Sequence, residues 1–172
     1  MEKKETIKAV SFILVGSLLQ LYNGVSGGWA STLVAIFGFV LFLIGLNNLK
    51  NSLDEAGQGA VKLLIIASII GIVGLVIDLI PLIGIVASII YIVAFVVELI
   101  GILKLKKSTS IGEVGKSGAT FLLIAMILAI LQSIFGLLPL IGGLICSILS
   151  MAALVLVLFG WIKIQEGLIE QK

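Results

Sequence analysis

Residues Ala30 to Ser52 read ASTLVAIFGFVLFLIGLNNLKNS, and 56 positions on, from 30 to 86, Val86 to Ser108 read VASIIYIVAFVVELIGILKLKKS. Phe39, Val40, the triplet Leu43-Ile44-Gly45, Leu49, Lys50 and Ser52 all meet the same residue in the second copy. Coincidences at one fixed spacing mark an internal repeat, and a repeat decides the architecture before any single element is assigned. Each copy is a nearly unbroken apolar run ending in lysine, and about 20 residues of helix cross a ~30 Å hydrocarbon layer. Barrel strands are excluded, because they alternate apolar with polar and these runs are apolar on every face. Helix remains, since it satisfies each backbone N–H and C=O within its own segment.

Outward from these two stretches, a third copy places Gly160 under Gly101 and Gly45, Lys163 under Lys104, and Ser147 under Ser88 and Thr32. The preceding helices align as well: Ala9-Val10 with Ala60-Val61, and Leu79 to Gly84 with Leu137 to Gly142. The expected fold is therefore all-α: a polytopic membrane protein with six transmembrane helices as three tandem helical hairpins. It forms a single membrane domain over residues 1–172, with repeat units near 8–52, 60–108 and 117–167. The expected spans are Lys8 to Tyr22, Trp29 to Asn48, Val61 to Ile80, Leu82 to Lys104, Ser117 to Leu138 and Leu140 to Lys163. The first is short and calls for local thinning of the bilayer or partial burial among its neighbours. Pro81 and Pro139 are expected to turn the second and third hairpins, since proline cannot continue the preceding helix. In the first hairpin the glycine-rich polar stretch Asn23 to Gly28 is expected to serve as the loop.

Composition agrees with lipid as the solvent. Of 172 residues, 60% are apolar and only 12% charged, against about a quarter charged in soluble proteins. Histidine is absent and all 11 basic residues are lysine. Without arginine, and with a net charge of only +2, no nucleic-acid partner is expected. The single Cys146 sits in an apolar run as a small hydrophobe. Met1 to Tyr22 has the basic head and apolar body of a secretory leader, but the repeat needs this segment as its first helix. All lysines fall on the side opposite the hairpin turns, so both termini are expected in the cytoplasm.

Few polar residues lie inside the spans: Glu98, Lys62, Asp78, Gln20 and Gln132 are the candidate positions. Glu98 lies six residues, ~9 Å of helix, inside Lys104, and a hairpin turning at Pro81 sets Lys62 opposite it. A paired or snorkelling arrangement is expected, since a lone charge at mid-membrane costs about 2.5–3.5 kcal/mol; a structural clamp is the leading reading of the pair, with a proton or cation relay and a partner-binding contact as the alternatives. Asp78 reads as a headgroup-level carboxylate, and Gln20 and Gln132 as helix-to-helix hydrogen bonders. Ala67 and Gly71, with Ala125 and Ala129, form small-xxx-small faces suited to close helix packing. Glu113, Lys116 and Ser117 are expected to cap and charge the start of the fifth helix. Trp161 and Lys163 read as interfacial anchors, followed by a short interfacial helix with Ile164, Leu168 and Ile169 on one face. No nucleophile and base are placed together, so no catalytic residue, metal or cofactor is expected and the chain does not read as an enzyme.

Through its Leu-Ile-Gly-x-x-x-Leu endings at Leu43 to Leu49 and Leu99 to Leu105, repeated imperfectly at Leu158 to Ile164, the chain resembles small multi-pass membrane proteins of bacteria and archaea. That resemblance implies a cell-membrane location and carries no activity or site. The leading functional expectation is a structural or accessory membrane component, with the lipid bilayer and a larger membrane complex or self-association as partners. The alternative is a small channel or transporter with its pathway between the three repeats. What separates them is whether Glu98, Lys62, Gln20 and Gln132 converge on one cavity.

Overall fold

The computed structural model describes residues 3–26, 28–80, 84–136 and 142–171. Six helices account for nearly all of them: α1 Lys3–Ser26, α2 Gly28–Lys50, α3 Glu55–Asp78, α4 Gly84–Leu105, α5 Gly112–Phe135 and α6 Gly142–Glu170. Five, α2 to α6, are long and apolar enough to cross a membrane. The remaining helix, α1, has 24 residues, or ~36 Å at 1.5 Å per residue, with its lysines and Glu5 gathered toward the start.

Several helix ends differ from expectation, and for a common reason. The expected spans stopped where apolarity stopped, whereas backbone hydrogen bonding continues into the polar margins. The first helix runs from Lys3 through Ser26 and α2 begins at Gly28, so most of the stretch expected as a polar loop is helical. α3 begins at Glu55, six residues before the expected Val61, capped by Asp54, whose side chain accepts the Gly57 N–H, while Glu55 favours the positive end of the helix dipole. α5 starts at Gly112, not Ser117. Ile111 precedes it without a side-chain cap, so Ser117 is an exposed residue within the helix. Gly112 adopts φ +59°, a left-handed conformation that glycine reaches without a Cβ penalty. Beyond Lys163 there is no separate interfacial helix: α6 continues to Glu170, with Ile164 and Leu168 fully buried. The expected turns at Pro81 and Pro139 lie outside the described residues.

Packing is closest within three sequence-adjacent pairs, α1 with α2, α3 with α4 and α5 with α6. Glycine sets the separation in each, and at matching positions. A Cβ on Gly45 would meet Ala9 and Ile13, one on Gly101 would meet Ala60 and Leu64, and one on Gly160 would meet Gly118 and Leu122. Without a hydrophobic drive between helices in lipid, such backbone approach is what holds neighbours together. Thinner contacts join α2 to α3, α4 to α5 and α6 to α1. Among the described residues each helix thus touches only its two neighbours, and the six close into a ring.

Among the described residues, the large side chains that fill the ring lie toward one end. All the large, fully buried side chains, among them Val10, Ile13, Leu46, Leu49, Leu64, Leu105, Ile164 and Leu168, belong to the lysine-bearing half of their helix or to the adjoining segments. They join one continuous apolar core with Leu53, Ile111 and Trp161.

Candidate functional site

Above that core the six helices leave a chamber of about 430 Å³ at the centre of the ring. Every helix contributes wall: Gln20 from α1, Phe39 from α2, Gly71 from α3, Glu98 from α4, Ala129 from α5 and Ala153 from α6. Its emptiness has a local cause. Ala67, Gly71, Ala125 and Ala129, expected to form packing faces, line the chamber instead. They are small where larger side chains would fill the axis. The floor is aromatic: Trp161, expected at the membrane interface, is 3% exposed and stands edge-on to Phe42 at 5.9 Å and 79°. Lys163, by contrast, points away to pair with Glu166 at 2.6 Å.

Of the polar candidates, Glu98 and Gln20 come together on this chamber, while Lys62, Asp78 and Gln132 do not line it. The expected Glu98–Lys62 ion pair does not form: Lys62 is exposed, and the ion pairs among the described residues are Lys116–Glu113 and Lys163–Glu166. Helical periodicity turns Lys62 outward while Val61 and Leu64 face the core. Asp78 is exposed at the last residue of α3. The Gln132 backbone carbonyl accepts the Cys146 thiol at 3.3 Å, which ties α5 to α6.

Glu98 is half-buried, and no lysine shares its chamber. The Gln20 Nε2 is buried without a hydrogen-bond partner. Serines in the wall do not supply one: Ser17 donates to the Ile13 carbonyl and Ser68 to the Leu64 carbonyl, each at 2.9 Å. In the repeat register Glu98 takes the place of Phe42. Gln20 packs beside Gly38, four residues from Phe42 and so about one turn, ~6 Å, farther from the lysine end. Two polar stations thus sit at successive heights in a largely apolar, aromatic-rich cavity.

A second polar cluster, at the lysine end, was missed by sequence reasoning. The Asp54 carboxylate accepts Ser108 Oγ at 2.6 Å, Gly57 N–H at 2.8 Å, and both Thr109 N–H and Thr109 Oγ1 at 2.7 Å. Its own N–H donates to Ser110 Oγ at 3.0 Å. Partial burial pushes the carboxyl upward, but the hydrogen bonds from Ser108, Thr109 and Gly57 outweigh it and hold Asp54 well below the usual carboxylate range. The segment after α2 is thereby tied to the segment after α4. The available signal was the Ser-Leu-Asp-Glu run before an apolar stretch, a helix-start pattern.

Comparison of the chain with family models, with curated proteins and with solved structures gives no match.

Proposed function

We propose that the chain crosses the membrane six times as three repeated hairpins about a pseudo-threefold axis, both termini on the cytoplasmic side, and that it is a small transporter for a positively charged solute. The observation that carries the reading is one central chamber lined by all six helices, with an uncompensated carboxylate, Glu98, inside it. An ionisable group within the membrane that faces a cavity is the usual mark of a solute or proton path. Repeats arranged about an axis normal to the membrane, with the site between them, are a common transporter plan. The threefold recurrence of the Gly45, Gly101 and Gly160 contacts supports the repeat. Helices of 22 residues or more are long enough, at ~33 Å, for full crossing, which weighs against hairpins that dip into one leaflet.

An accessory or purely structural component would be expected to pack tightly through its centre, and the chamber is the reason for preferring transport. The apolar core at the lysine end supports reading this as a conformation closed toward the cytoplasm, with admission from the turn side. Purified protein in sealed liposomes tests the proposal through proton and cation flux. Flux in the wild type that Glu98→Gln lowers by about tenfold or more supports it, on a scale where tenfold is ~1.4 kcal/mol of barrier. Absence of flux from folded wild type, or equal flux from the variant, returns the accessory reading to first place.

A further inference from the structure

The chamber's lining says more than that its solute is positive; we infer that the solute is a lipophilic organic cation, an ammonium or phosphonium carried on an apolar or aromatic body. The inference rests on reading the ring as a solute chamber. A bare inorganic cation is bound by several converging oxygens at fixed short range, and the chamber is sparse in them: beside Glu98, the oxygen-bearing side chains on its wall are Ser17, Gln20, Ser68 and Tyr91, set among predominantly apolar residues. Its volume of about 430 Å³ falls instead within the ~300–1,000 Å³ typical of sites for organic ligands, which are mostly apolar with few polar groups.

The aromatic content favours a cation over a neutral amphiphile. Phe39, Phe42, Tyr91, Phe95 and Trp161 all border the cavity, and aromatic faces attract an organic cation through the ring quadrupole, most strongly where water is excluded. Phe95 lies one residue short of a turn before Glu98 on α4, so an aromatic ring and the carboxylate share a stretch of wall. A solute with its charge at Glu98 and its body against these rings would neutralise a half-buried carboxylate that has no ion-pair partner among the described residues. The Gln20 amide nitrogen, buried and unpartnered, stands about a turn farther along to take an oxygen that the solute carries.

The test uses two ions of nearly equal shape and opposite charge, tetraphenylphosphonium and tetraphenylborate, on full-length protein in nanodiscs, with empty nanodiscs subtracted. Trp29 is 74% exposed and Trp161 is buried in the floor, so in a Trp29→Phe background the tryptophan fluorescence reports the chamber alone. Saturable change with the phosphonium and none with the borate is expected, with affinity about tenfold weaker in Glu98→Gln and largely kept in Glu98→Asp. Equal response to both ions, or full phosphonium affinity in Glu98→Gln, overturns the inference. Should Glu98→Gln fail to fold, the comparison of the two ions on the wild-type carboxylate decides alone. Phosphonium binding without any flux would leave the inference standing and remove transport; Glu98-dependent proton flux without phosphonium binding would do the reverse.

Discussion

Asp54 carries four hydrogen bonds on its two carboxylate oxygens, yet it lies outside the spans and is only partly buried. Solvent screening therefore discounts each bond, and the helix-cap role sets the scale. Asp54→Asn, similar in shape but unable to accept on both sides, is expected to lower stability at neutral pH by about 1–2 kcal/mol. Its pH dependence follows from the depressed folded-state pKa. The stabilising contribution is complete above the unfolded value of 3.8 and is lost as pH falls from there toward the folded value. Thermal unfolding in detergent should show a wild-type advantage at pH 6 that shrinks below about pH 4; an advantage that persists in acid would mean that charge on Asp54 is irrelevant. At the same scale, Lys62 has no ion-pair partner among the described residues. Lys62→Gln is accordingly expected to move the unfolding midpoint by no more than the ~0.5 kcal/mol usual for surface changes. A loss of several times that would restore the clamp with Glu98.

Between elements, the glycine contacts rank themselves by what a new methyl group would strike. At Gly45 the obstacles include the Ala9 carbonyl oxygen at 2.7 Å and the Ile13 backbone nitrogen at 2.8 Å, which cannot step aside; at Gly101 the nearest atoms are the tip of Leu64 at 2.9 Å. Gly45→Ala should therefore separate α1 from α2 at a cost of about 1–3 kcal/mol, with Gly101→Ala milder because a leucine rotamer can yield. Gly59 meets nothing within 4 Å, and Gly59→Ala should stabilise α3 by up to ~1 kcal/mol. Thermal unfolding of the three variants checks the order, and a destabilised Gly59→Ala or a silent Gly45→Ala would break it. These matched glycines were legible in the sequence, since Gly45, Gly101 and Gly160 align by spacing alone, as was the helical character of the whole chain. Helix ends were not, because apolarity reports where lipid begins and ends, while caps such as Asp54 report where hydrogen bonding does.

At the scale of the molecule, sequence reading offered a pathway between the three repeats only as an alternative and could not decide for a central chamber, for a definite reason. Ala67, Gly71, Ala125 and Ala129 are small whether they bring two backbones together or leave a space between six, and only the closure of α6 onto α1 decides which. Glu98 was singled out from its position and lines the chamber, but the angle that faces it there was not legible, because it depends on that same closure. The arrangement has a consequence for access. With the large, fully buried side chains among the described residues gathered in the lysine half, a reagent approaching from the turn side should reach the chamber wall and one approaching from the lysine side should meet packed core. In a Cys146→Ser background, single cysteines placed at Gln20 and Ala129 are expected to react with a membrane-impermeant thiol reagent added at the turn side, and one placed at Leu105, fully buried in the core, to stay protected from both sides. Prior occupancy by solute should slow the reaction at Gln20 and Ala129, since both border the cavity. Reaction at those two positions from the lysine side instead would reverse the assigned closure, because a chamber plugged by Leu49, Leu105 and Leu168 leaves a water-borne reagent no way in from there.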